Sequence, residues 1–309
     1  MAFDPITPFR LGGAPLWHIP IPSQRYITGD HPSSIHGFGE EIAEIREMEP
    51  GDSSEWYSPI LSARMKKRMA VYHTRNEEVG VQFYLDAGPA IDFGVPSKRF
   101  VAVKIMSSLA VNLFREPNHG TAACIGVGSR IMYISDLADQ AVTSSALRRL
   151  VYKCERYEHE DYERLPRVLK LHSAETPEQL ICLFSDFLIP PQDEAAWGQL
   201  ENACRRVERE GNEVIFIRVL SPLENQFPNV AITVRGAEHS LWSGSGTQKQ
   251  ILRTQSMIRE RLNAICKKPD IRFLEIVWND DKDATAFELQ EFLKRRSCYI
   301  RAHLDIATA

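Results

Sequence analysis

Apolar positions alternate with polar or small ones from Val79 to Leu85 in VGVQFYLDAGPA, and the run stops at Asp86 before Ala87-Gly88-Pro89. A β-rich run ending in an acid and a Gly/Pro turn predicts a strand that carries a carboxylate to the end of a sheet. An amphipathic helix is expected next, from about Lys98 to Phe114. Further strands are predicted at 121–127, 130–134, 180–186, 213–220 and 273–278. The run at 180–184, LICLF, is continuously apolar and ends in Ser185-Asp186-Phe187, a second acid at a strand end. Between the strands, apolar residues three or four apart predict helices. One runs from about Ser144 to His159. One follows Asp193 and buries Trp197, Leu200, Cys204 and Val207. One is capped by Thr247, and one runs from about Ala284 to Arg296. Two β-prone pieces around Gly236 predict an inserted hairpin at about 229–242.

This alternation predicts an α/β fold, with a mostly parallel six-stranded sheet and helices on both faces. The domain is expected to span 79–296, with a C-terminal tail over 297–309. Residues 1–78 are expected to form an arm and a segment packing on the domain. Residues 1 to about 36 are rich in Pro, Gly, Ser and His and read as an extended arm. Ile42, Ile45 and Met48 recur at helical spacing, and Met69 to Tyr72 reads as an edge strand.

Composition removes several functions. A formal net charge of −4 offers no basic excess for nucleic acid or an anionic membrane. The start lacks a basic n-region and an apolar h-region, so no signal peptide is expected, and the apolar stretch 100–114 is too short to span a bilayer. The expected location is the cytoplasm. Six cysteines without a CxxC pair read as buried thiols in a reducing compartment. The acids of YEHEDYER, residues 157–164, alternate with Tyr and Arg, which suits a solvated helix end. The basic triplet Lys66-Lys67-Arg68 reads as a solvated face. No nucleophile motif, P-loop or dinucleotide fingerprint is present.

Two acids at two strand ends, in this order of elements, resemble the von Willebrand factor A fold. Four segments narrow the resemblance: GEEIAEIREMEPGD, VGVQFYLDAGPAIDFG, EVIFIRVLSPLE and FLEIVWNDDKDATAFELQEFLKRR. Together they look like the bacterial domain-of-unknown-function family 58, over about 37–296. That resemblance implies a non-enzymatic adaptor working with a MoxR-type AAA+ ATPase in the assembly or maturation of another complex, methanol dehydrogenase being one setting. It also locates the metal-ion-dependent adhesion site of the wider fold, Asp-x-Ser-x-Ser with a Thr and a further Asp from other loops. Here Asp86 and Asp186 match the acids and Thr143 lies near the Thr position. The two serine positions are Gly88 and Ala90, and the family's Asp before Pro222 is Ser221.

A hard cation such as Mg²⁺ wants about six oxygens at ~2.1 Å. Gly88 and Ala90 supply none from a side chain, so no cofactor is expected, with a weak, water-rich magnesium site at Asp86, Asp186 and Thr143 as the exception. Two carboxylates ~5 Å apart repel by roughly 1 kcal/mol in water and ~3 kcal/mol at an effective dielectric near 20. A proton or a neighbouring lysine or arginine would relieve that. The expected docking face is then made of Asp86, Phe93, Asp186, Phe187 and Leu188, the aromatic and leucine residues serving as exposed apolar anchors for a protein partner. A magnesium-dependent binder and a hydrolase using the Asp pair are the alternatives.

Overall fold

A computed structural model describes residues 4–9, 11, 28–77, 80–113, 119–125, 131–136, 140–152, 162–175, 179–225, 231–233, 240–242, 245–278 and 281–307. In chain order these form β1 (Thr28–Glu47), α1 (Pro59–Met65), β2 (Met69–Glu77), β3 (Gly80–Asp86), α2 (Lys98–Leu113), β4 (His119–Ile125) and β5 (Ile131–Asp136). There follow α3 (Gln140–Tyr152), α4 (Arg164–Glu175), β6 (Gln179–Ser185), α5 (Glu194–Arg209), β7 (Glu213–Leu220) and α6 (Pro222–Asn225). The last are β8 (Ala231–Thr233), β9 (Ser240–Trp242), α7 (Ser245–Cys266), α8 (Pro269–Arg272), β10 (Phe273–Val277) and α9 (Lys282–Ala307).

The main sheet has the order β10-β7-β6-β3-β4-β5. All neighbours pair in parallel except β5, which runs antiparallel to β4 at one edge. β3 lies inside the sheet, with Phe83 opposite Ala122 on one side and Cys182 on the other. This is the mostly parallel α/β sheet, with helices on both faces, that the resemblance to the von Willebrand factor A fold implies.

Strand alternation sorts the side chains into two cores. Val81, Phe83, Leu85, Leu180, Cys182, Phe184, Ile215, Ile217 and Val219 meet α2, α3 and α9 on one face. Tyr84, Ile181, Leu183, Val214 and Phe216 meet α4, α5 and α7 on the other. Because both faces are covered, β7 is buried along its whole length and so are Leu180 to Phe184 of β6, which explains why β6 reads as an unbroken apolar run.

Several expectations change. The stretch 42–48 is strand, not helix, up to Glu47. Ile42 and Ile45 stand exposed, so their spacing reports no buried helical stripe. β1 instead pairs antiparallel with β2 in a separate two-stranded ribbon, and β2 continues past the expected edge strand to Glu77. The turn after β1 is tied by Arg46, which donates to Asp52 at 2.8 Å and to the Tyr72 hydroxyl at 2.7 Å. The helix expected over 144–159 is α3, which begins earlier, at Gln140, and is described as far as Tyr152. α4 is an additional helix. Residues 153–161, which include most of YEHEDYER, lie outside the described residues. Thr247 lies inside α7 and does not cap it. α9 runs on to Ala307, through the expected tail. The inserted hairpin is present as β8 and β9, its tip at 234–239 being outside the described residues.

Residues 4–9 and Leu11 of the arm lie against the domain. Lys104 donates to the carbonyls of Asp4 and Thr7 at 2.9 and 2.6 Å, and Ser107 donates to that of Ile6 at 2.6 Å. The Phe9 amide donates to the Ser108 hydroxyl at 2.8 Å. Phe9 and Leu11 are buried, and Phe9 stacks on Trp278 with ring centroids 6.2 Å apart. The polar residues that interrupt the apolar α2 sequence thus satisfy this strap's backbone groups.

Candidate functional site

The carboxyl ends of β3, β6 and β7 come together because the three strands are parallel neighbours. In an open α/β sheet that edge is where loops can carry chemistry. β3 ends at Asp86, followed by a 3-10 turn at Pro89–Asp92 and the loop 93–97. β6 ends at Ser185, followed by Asp186 to Pro190. β7 ends at Leu220, followed by Ser221 and α6. Gly94, at a backbone φ of +99°, packs against Ser221, where a Cβ would sit 2.6 Å from the serine hydroxyl. A side chain there would force the loops apart.

Both expected acids are present at this edge, and both are buried, Asp86 being 1% exposed and Asp186 4%. Each is met by a cation from its own chain. The Arg164 guanidinium, at the start of α4, grips Asp86 with two bonds. Nε donates to Oδ1 at 2.6 Å and Nη2 to Oδ2 at 2.9 Å. The Ser185 hydroxyl donates to Oδ2 at 2.7 Å and the Gly88 amide to Oδ1 at 3.3 Å. The Lys98 ammonium, at the start of α2 and 1% exposed, donates to Asp186 Oδ2 at 2.8 Å and to Glu224 Oε1 at 3.0 Å. Glu224 Oε2 in turn accepts from the Ser221 amide at 2.7 Å. Burial alone would push the Lys98 ammonium down, but Asp186 and Glu224 outweigh it and hold its pKa above the usual lysine value.

One more buried cation braces the platform. Arg218 of β7 donates to the Asp186 carbonyl at 3.1 Å and to Glu275 at 2.8 Å, and it also binds the Gln255 side chain. The loop after β6 is therefore tied to α7 and β10.

The apolar anchors fare differently from expectation. Phe187 is 1% exposed, its ring packed edge-on against Phe216 at 5.1 Å. Its backbone φ of 51° lies in the left-handed region, uncommon for a bulky residue. That turn directs the ring into the core, and the Phe187 amide donates to the Ser185 hydroxyl at 3.0 Å. Asp86, Asp186 and Phe187 therefore present no exposed surface. Phe93 is half-buried, with the Lys98 ammonium 5.9 Å from its ring centre. Leu188 is half-buried beside the small cavity that Asp86, Tyr162, Arg164, Leu165 and Ser185 also line. The most exposed apolar residue of these loops is Val95, at 88%. Thr143 is buried in α3, and its hydroxyl has no hydrogen-bond partner among the described residues.

The donor set does not fit a divalent ion. Both oxygens of Asp86 accept two hydrogen bonds each, which fills the roughly four lone-pair positions of a carboxylate. Among the described residues no three His, Cys, Asp or Glu side chains are grouped to hold a metal. The chemistry here is ion pairing inside the protein.

Arg164, Lys98, Ser185 and Glu224 were not singled out by the sequence patterns. One signal is available for Lys98. It opens a helix that the sequence predicts, at the end where the macrodipole disfavours positive charge, so it needs an acid elsewhere to hold it there. Ser185 is the one polar residue between an apolar strand and its acid.

No family model matches the sequence, and no curated protein matches it. Among solved structures, the chain is similar to the conserved hypothetical protein BatB from Bacteroides thetaiotaomicron, at 14% identity and a TM-score of 0.43. That likeness covers 70% of this chain and 99% of that one. It is similar to an aerotolerance-related membrane protein from Bacteroides fragilis NCTC 9343 at 12% identity and a TM-score of 0.42, covering 70% and 99%. It is also similar to the SpRpn10 VWA domain at 13% identity and a TM-score of 0.40, covering 71% and 95%. Among the described residues no helix of the present chain is long and apolar enough to cross a membrane.

Proposed function

We propose that this chain is a non-catalytic interaction protein that docks a protein partner on the rim of its carboxyl-end face, without a divalent metal. The observation that carries this reading is the pairing of Asp86 with Arg164 and of Asp186 with Lys98. Acids neutralised within the chain need no ion, and they hold the three loops in register as a preformed surface. The same pairing argues against a hydrolytic role for Asp86, since a carboxylate with every lone pair engaged has none left for a proton or a nucleophile. The accessible apolar groups on the rim are Val95, Phe93 and Leu188. The partner implied by the family 58 resemblance is a MoxR-type AAA+ ATPase, the setting the assembly or maturation of another complex such as methanol dehydrogenase, and the compartment the cytoplasm.

The test is a pull-down with the MoxR-type ATPase encoded nearest this chain's own gene, with and without EDTA. We expect EDTA to leave binding unchanged. Val95→Asp or Leu188→Asp is expected to remove an apolar anchor worth ~2 kcal/mol, about thirtyfold in affinity. Binding abolished by EDTA would put a magnesium-dependent reading in its place. Binding weakened only by changes at Lys66, Lys67 and Arg68 would move the interface to the β1–β2 ribbon.

A further inference from the structure

The arginine on Asp86 stands where a side chain at position 88 would have to begin. A Cβ built on Gly88 would lie 2.7 Å from Arg164 Nη2, 3.4 Å from its Cζ and 3.7 Å from Asp86 Oδ1. The first distance is closer than real Cβ contacts come, so a residue larger than glycine and the bound guanidinium compete for one space. The guanidinium is also buried, with the Arg164 side chain 7% exposed and that of Asp86 2%. It brings a full positive charge and two hydrogen bonds to the carboxylate, where a metal ion would bring charge and coordination to the same oxygens. The hydroxyl of Ser185 completes the cradle from the neighbouring strand at 2.7 Å.

We propose that Arg164 is a resident cation occupying the place of a divalent ion, and that glycine at 88 is what admits it. With Gly88 and Arg164 together the acid is sealed and ions are excluded. With a hydroxyl at 88 and no guanidinium, Asp86, the new hydroxyl, Ser185 and water form an oxygen set for a hard divalent cation such as Mn²⁺ or Mg²⁺. This rests on the proposed function only in taking the strand-end face as the site. The purified chain tests it with no partner, so it can fail while EDTA-resistant docking holds, and the reverse.

The experiment titrates MnCl₂ into the wild type and the Gly88→Ser/Arg164→Ala double variant, reading bound Mn²⁺ by electron paramagnetic resonance and stability by thermal unfolding. The wild type is expected to bind no Mn²⁺ at millimolar concentration and to show no change in Tm. The double variant is expected to bind one ion and to gain a few degrees in Tm with added MnCl₂. Adding Asp86→Asn to the double variant should abolish both effects. If the double variant is unfolded in chelator, millimolar MnCl₂ is expected to restore its circular dichroism. Stoichiometric binding to the wild type that Asp86→Asn removes would overturn the proposal. So would a folded double variant that binds nothing, or one that stays unfolded in MnCl₂.

Discussion

Deleting the Arg164 guanidinium would leave the carboxylate of Asp86 buried beside Ser185 and a backbone amide, with its charge uncompensated. Breaking a buried pair from one side costs about 3–5 kcal/mol, most of it the stranded charge. Arg164→Ala is therefore expected to lower the urea midpoint sharply, and Asp86→Asn on that background to recover part of the loss, because the stranded group is then neutral. Lys98 faces two acids, and its pKa is held above the ordinary 10.5. A base raised on folding contributes stability that is complete below its unfolded value and fades as pH climbs through its folded one. The stability gap between the wild type and Lys98→Met should hence stay level from neutral pH to about pH 10 and narrow only above it. Neither pair could be read from the chain. Arg164 meets Asp86 across 78 residues and Lys98 meets Asp186 across 88, and short-range spacing carries no information about such partners. The acids themselves were legible, because each closes a patterned strand.

At the scale of elements, legibility tracks burial. β3, β6 and β7 are covered on both faces, so their apolar runs are dictated by the core and stand out in the sequence. β1 is not, and the exposed Ile42 and Ile45 imitate a helical stripe that no core requires. The pattern does not predict α4, although Leu165, Val168 and Leu169 form its buried face. Its first residue is committed to Asp86 and Pro166 sits in its first turn, so the stretch reads as punctuation rather than as a start. Burial also sorts the thiols. Cys182 and Cys204 are enclosed in the two cores and pushed well up, and Cys266 is raised to about 12, while Cys298 is exposed on α9. The thiolate is the reactive form. Iodoacetamide at neutral pH should accordingly label Cys298 in the native protein, and Cys182, Cys204 and Cys266 only after unfolding, as read by peptide mass spectrometry.

In the whole molecule the sheet divides two cores, and the strap of residues 4–9 and Leu11 closes the one formed with α2, α3 and α9. Phe9→Ala should cost about 3 kcal/mol by removing a buried ring, and it should change the fluorescence of Trp278, on which that ring stacks. The strap also has a consequence for synthesis on the ribosome. Phe9 emerges first, its partners on α2 follow within a hundred residues or so, and Trp278 arrives roughly 270 residues after it, tens of seconds later at about 5–20 residues per second. Until then the nascent chain carries an unfinished seam with an uncovered aromatic ring. Holding chaperones that recognise exposed apolar segments would meet this protein there, and they would lose their grip only when the last strand is made.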